Sequence, residues 1–100
     1  MLLHSVFFTL TDSSPAAQQK LVEATRKYLS KHPGTVYFAS GTRAESLARP
    51  VNDKDFHVAL CVCFADQAAH DRYQEAADHR AFVVECKENW KQVRVFDAEV

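Results

Sequence analysis

Glycine and proline are scarce in this 100-residue chain, at two and three residues. So few breakers exclude collagen-like and low-complexity architectures, and two glycines cannot build a glycine-rich phosphate loop. Cysteine is sparse too, and its count of three is odd. With Cys61 and Cys63 inside an apolar run, the thiols suit a reducing cytoplasm better than a disulfide framework. Charge of one sign is also missing. Twelve basic residues face thirteen acidic ones, and the pI is near 6.5. No broad basic field is available for nucleic acid or anionic lipid. The longest apolar run, Val58 to Ala65, is eight residues, far below the roughly 20 a membrane helix needs. Met1-Leu2-Leu3-His4 shows neither a basic leader nor a small-residue cleavage site, so no signal peptide is expected.

What is present is a globular composition, 47% apolar and 25% charged. A chain of this size buries roughly two thirds of its unfolded surface, enough for one core and no second. A single domain over residues 1–100 is expected.

Leu2 to Leu10 is apolar on both alternating faces and reads as a strand. Ser14-Pro15 opens a helix, with Ser as N-cap and Pro in the first turn. Its inner stripe is Ala17, Leu21, Ala24 and Tyr28, and Lys31-His32-Pro33-Gly34 ends it. Thr35 to Arg43 alternates as a second strand, and Ala44 to Lys54 reads as an exposed loop. Asp55 to Phe64 is a third strand, with Phe56, Val58, Leu60, Val62 and Phe64 on one face and His57, Ala59, Cys61 and Cys63 on the other. Asp66 caps a second helix with Ala69 and Tyr73 inside. Asp78-His79-Arg80 interrupts it, and Phe82, Cys86 and Trp90 continue at helical spacing. Val93, Val95 and Asp97 alternate in a last strand.

The order strand, helix, strand, strand, helix, strand predicts an α+β, ferredoxin-like βαββαβ fold with a four-stranded antiparallel sheet. Helices cover one face of such a sheet. Strands one and three are apolar on both faces, so a monomer would expose a large apolar patch. A homodimer joined through the open sheet faces is the economical way to cover it.

The pattern resembles the stress-responsive A/B barrel (Dabb) family over essentially the whole chain. The resemblance rests on His4 in Leu3-His4-Ser5-Val6-Phe7-Phe8, on Phe56-His57-Val58-Ala59-Leu60, on Tyr73-Gln74-Glu75-Ala76-Ala77-Asp78-His79-Arg80-Ala81-Phe82, and on Val93-Arg94-Val95-Phe96-Asp97. The family's third stretch usually carries His-Pro where Ala76-Ala77 stand here. The resemblance implies a dimeric α+β barrel with a small-molecule pocket between sheet and helices, and most members have no assigned reaction. One plant member is a polyketide cyclase that closes an aromatic ring with a His–Tyr pair and neither metal nor cofactor. Its polar pocket positions correspond to His4, His57, Tyr73 and His79.

The residues themselves allow the same chemistry. An imidazole titrating near neutrality and a phenol O–H suit proton abstraction beside a carbonyl. His79, at the bend between helical segments, is the candidate general base, with Tyr73 as its partner. His57 and His4 join them if their strand faces look toward the helices; otherwise these side chains are satisfied core polar groups. His57, Cys61 and Cys63 share a strand face, on which successive side chains stand roughly 6.6 to 7 Å apart, too far to converge on zinc. No metal is therefore expected, and the resemblance implies no cofactor. His70-Asp71 reads as solvated surface, His32 as a partner of a helix dipole, and Trp90 as core. No GxSxG elbow or carboxylate pair supports another reaction class, and nothing favours a cofactor-free monooxygenase, the activity of a related barrel family. Two functions remain open: a small-molecule-binding barrel protein that takes an apolar or aromatic ligand, or a cofactor-independent acid/base enzyme of cyclase, isomerase or lyase type acting on an enolisable carbonyl compound.

Overall fold

In the computed structural model, which describes residues 1–100, strand β1 (Leu2–Leu10) is followed by helix α1 (Pro15–Leu29) and strands β2 (Thr35–Thr42) and β3 (Val58–Phe64). Helices α2 (Gln67–Glu75) and α3 (Ala77–Cys86), one 3-10 turn (Lys87–Asn89) and strand β4 (Trp90–Glu99) complete the chain. The four strands form one antiparallel sheet in the order β2-β3-β1-β4. This is the ferredoxin-like α+β arrangement, with β1 and β3 central and β4 at an edge.

Alternation decides what each central strand buries. Leu2, His4, Val6, Phe8 and Leu10 of β1 and Val58, Leu60, Val62 and Phe64 of β3 are buried beneath the helices. Leu21, Val22, Ala24 and Leu29 of α1, with Ala69, Tyr73 and Phe82 from the other two helices, close the same core. The opposite sheet face has no helix. Leu3 and Phe7 on β1 and Ala59, Cys61 and Cys63 on β3 are only half-buried there.

Local chemistry sets the boundaries. Ser14 Oγ accepts from the Ala17 N–H (3.2 Å) and Asp66 Oδ1 from the Ala69 N–H (2.8 Å), so both predicted caps form. Gly34 takes φ 90°, the left-handed region that suits glycine, and a Cβ there would stand 2.5 Å from Ala69 Cβ. Two spans differ from expectation. Strand β3 begins at Val58 rather than Asp55, because the chain bends at His57; Phe56 therefore turns to the open face and packs edge-on against Phe7 (5.1 Å). Trp90 does not continue a helix. Its backbone is extended (φ −81°, ψ 121°), because Asn89 exchanges hydrogen bonds with Asp12 (2.8 and 2.9 Å) and pins the chain to the end of β1. The 3-10 turn between them preserved the spacing of four that reads as helical. Trp90 packs on Phe8 and Phe82 (5.1 and 5.6 Å), a core residue reached by a different element.

Candidate active site

The chemistry-bearing side chains gather where the end of α2 and the start of α3 lie over β1 and β4. Helix α2 stops at Ala76, whose extended backbone (φ −64°, ψ 148°) starts α3 in a new direction. The bend that His-Pro would enforce is thus kept by Ala76-Ala77, and His79 occupies the first turn of α3. Its ring lies 5.0 Å from that of Tyr73, edge to face. Tyr73 comes from the inner stripe of α2, is 1% exposed, and packs on Phe64 (4.9 Å) and His4 (5.9 Å). Its hydroxyl forms no hydrogen bond within the chain. His4 reaches the group because it belongs to the helix-facing set of β1, which alternation alone left undecided.

These residues line one cavity of about 160 Å³ between the sheet and the helices. Ten of its thirteen lining residues are hydrophobic, including Val6, Leu60, Phe82 and Trp90, and the others are His4, Gln74 and His79. Val93 and Val95 of edge strand β4 are 39% and 50% exposed, so the cavity opens beside them. A groove of about 450 Å³ between the N-terminal half of α1 and the end of α3 is larger. It carries Lys20 among Asp12, Glu85 and Glu88 and contains none of the histidines. Trp90 stands in the wall of both, its buried indole N–H without a hydrogen-bond partner.

The electrostatics follow from burial. Desolvation pushes the Tyr73 phenol well above its ordinary range, so it remains a protonated donor. Desolvation, reinforced by the nearby His4 and His70 imidazoles, holds His79 below its ordinary 6.5. At neutral pH His79 is therefore the uncharged, proton-accepting form.

Three of the four expected residues, His4, Tyr73 and His79, meet in this way. His57 does not join them. The face it was read with, Ala59, Cys61 and Cys63, is the open face of the sheet, and His57 itself lies before the strand. Its Nδ1 accepts the Leu10 N–H (2.9 Å), its own N–H donates to the Phe8 carbonyl (2.8 Å), and its carbonyl accepts from the Arg43 N–H (3.2 Å). These bonds make His57 a clip on the end of the sheet.

Two residues at the site were not foreseen. Asp97 is the direct cross-strand neighbour of His4 on β4, and its Oδ1 lies 2.5 Å from His4 Nδ1. His70, expected on solvated surface, has a side chain only 17% exposed and a ring 5.0 Å from His4. Asp71 pairs with its Nδ1 at 3.0 Å. The i, i+3 spacing from His70 to Tyr73 placed both on one helix face. No sequence signal paired Asp97 with His4, because strand adjacency is a tertiary fact. His32 also lies near the site, its ring 5.7 Å from Tyr73.

The fold and this arrangement can be set beside known proteins. A family model described as Stress Responsive A/B Barrel Domain matches residues 2–100. A ferredoxin-like Dabb family protein from Mesorhizobium loti superposes with a TM-score of 0.81 at 28% identity, covering 99% of this chain and 95% of that one. A dimeric ferredoxin-like protein from Thermobifida fusca gives 0.81 at 16% identity, with 99% and 90% coverage. The hydroxynitrile lyase of Passiflora edulis gives 0.77 at 17% identity, with 99% and 92% coverage. No curated protein matches the sequence. With residues 2–100 matched, the chain belongs to the stress-responsive A/B barrel (Dabb) domain family.

Proposed function

We propose that the cavity between β4 and the α2–α3 bend binds a small, mostly apolar compound with an enolisable carbonyl, and that His79 and Tyr73 move a proton on it without a cofactor. One observation carries this reading: a neutral imidazole and an unpaired phenol face each other at 5.0 Å in the wall of a hydrophobic cavity. His79 accepts the proton from the carbon beside the carbonyl. The Tyr73 O–H donates to the oxygen on which negative charge develops, a donor worth most where water is excluded. His4, held by Asp97, borders the same space and keeps Tyr73 oriented through ring contact. A volume of about 160 Å³ is below the usual range for drug-sized ligands and close to that of a cavity that holds benzene. The favoured ligand is thus the size of one substituted ring.

The test is deuterium incorporation. The protein in D₂O is incubated with a panel of small aryl ketones and β-keto esters, and exchange at the α-carbon is followed by proton NMR. Exchange above the blank is expected, reduced by about 10² to 10⁴ in His79→Gln and Tyr73→Phe. Saturable binding without exchange would favour the binding-protein reading, in which the same cavity holds its ligand unchanged.

We also infer that the chain works as a homodimer joined through its open sheet face. Phe7, Phe56 and Phe96 cluster there (5.1 and 5.7 Å between rings), and Phe96 is 55% exposed in one chain. An aromatic cluster on a helix-free sheet face fits a two-fold interface better than water. No helix is long and apolar enough to cross a membrane. Cys61, Cys63 and Cys86 are all free thiols, which supports residence in a reducing compartment such as the cytoplasm.

A further inference from the structure

We propose that His4, His70 and Asp97 form a site for one divalent transition-metal cation of the zinc class, beside the cavity. One donor atom from each residue lies within 4.8 Å of the other two. They come from three elements, β1, α2 and β4, so the set exists only in the folded chain. Two imidazoles and a carboxylate are borderline donors that suit zinc, cobalt or nickel over magnesium or calcium. A tetrahedral ion with bonds near 2.0 to 2.2 Å spaces its ligands about 3.3 to 3.6 Å apart. The donors reach that spacing through side-chain adjustments on the order of 1 Å, with His4 and Asp97 moving slightly apart and His70 moving in.

Three further features match a metal site. His4 Nδ1 and Asp97 Oδ1 already meet at 2.5 Å, and a cation binding between them takes the place of the hydrogen-bonding proton, which leaves to solvent. Asp71 holds His70 Nδ1 at 3.0 Å, which leaves Nε2 free and orients the ring, as carboxylates behind metal-bound histidines do. The His4 and His70 side chains are 5% and 17% exposed, whereas that of Asp97 is 41% exposed. Two ligands are therefore preset in the interior, and the third opens a route for the ion and leaves room for water at a fourth position. Cysteine takes no part, because Cys61 and Cys63 lie on the other face of the sheet.

The proposal is independent of the proton-transfer reading, since it is read without substrate. Cobalt(II) is titrated into the full-length, metal-stripped protein and followed by visible absorption, and zinc(II) by calorimetry and thermal melting. The expected result is one cobalt per chain with the intense d–d bands of a four-coordinate site, displaced by zinc. Zinc should also raise the melting temperature by mass action. His70→Ala and Asp97→Asn, at the two more accessible ligands, should abolish the bands and the zinc-induced shift while leaving far-UV circular dichroism unchanged. Asp71→Asn should weaken binding by about 10- to 100-fold. Wild-type affinity in both His70→Ala and Asp97→Asn would overturn the assignment, as would thiolate-to-cobalt charge-transfer bands or a spectrum no different from cobalt in buffer.

Discussion

At the residue scale, burial gives each histidine a different role. The folded-state pKa of His79 falls below the ordinary 6.5, through desolvation first and the His4 and His70 charges second. The sign of the linkage follows. The unfolded chain binds this proton more readily than the folded one, so stability rises with pH between the folded pKa and about 6.5 and levels off above. His79→Gln should flatten that part of the profile, as read by urea unfolding on either side of about pH 6.5. His57 has a different part. His57→Ala would leave the Leu10 N–H and the sheet end without an acceptor, costing about 1 to 3 kcal/mol, with α-carbon exchange unchanged per folded molecule. Equilibrium unfolding and the NMR exchange rate separate the two effects. Tyr73→Phe keeps the packing on Phe64 and His4 and loses only an unpaired hydroxyl, so it should fold like the parent. Tyr73→Ala should cost about 3 to 5 kcal/mol.

At the element scale, the bend between α2 and α3 aims His79 into the cavity, and its geometry is testable. Ala77 is the first residue of α3, where an amide N–H has no helical partner, and Ala76 before it is already extended. Ala77→Pro should therefore be accepted and stabilise by about 0.4 to 1 kcal/mol by restricting the unfolded chain. A loss of stability in denaturant melts would mean that the bend is held otherwise. The turn at Gly34 is the opposite case. Gly34→Ala meets the left-handed backbone penalty of about 1 to 2 kcal/mol and a clash with Ala69 Cβ at 2.5 Å. The α1–β2 turn and the start of α2 should loosen together, visible as faster amide exchange in both. The spans of β1, α1 and β2 and both N-caps were legible in sequence, because alternation and capping are local. The break at Ala76 was legible only through the interrupted stripe at Asp78-His79-Arg80. The start of β4 was not, because Asn89 ends the preceding turn through bonds to Asp12, 77 residues away.

At the scale of the whole molecule, the helix-free sheet face is the proposed dimer interface. Light scattering at micromolar concentration should give about twice the chain mass of 11.3 kDa. Phe96→Lys, at the exposed end of the aromatic cluster, should shift the population toward one chain without unfolding it; a wild-type monomer at that concentration would refute the dimer. The cavity lies on the other side of the sheet, so that variant should retain any α-carbon exchange the parent shows.

The division between sequence and tertiary structure follows from the range of the forces involved. Alternation along β1 and β3, the stripes of α1 and α2, and the shortage of covering helices are properties of neighbouring residues. They determined the βαββαβ order, the double-sided apolar strands, the inner-stripe position of Tyr73 and the place of His79 at a bend, and they left open which way His4 faces. Which face of β3 the helices chose was decided by bulk: Val58, Leu60, Val62 and Phe64 fill the space under the helices, and Ala59, Cys61 and Cys63 cannot. That choice sent Tyr73 over His4 and left His57 to cap the sheet. The pairing of His4 with Asp97, 93 residues apart, and the arrival of His70 beside them came only from β4 lying against β1 and α2 lying over both. Such contacts depend on which elements become neighbours, and local pattern does not encode that.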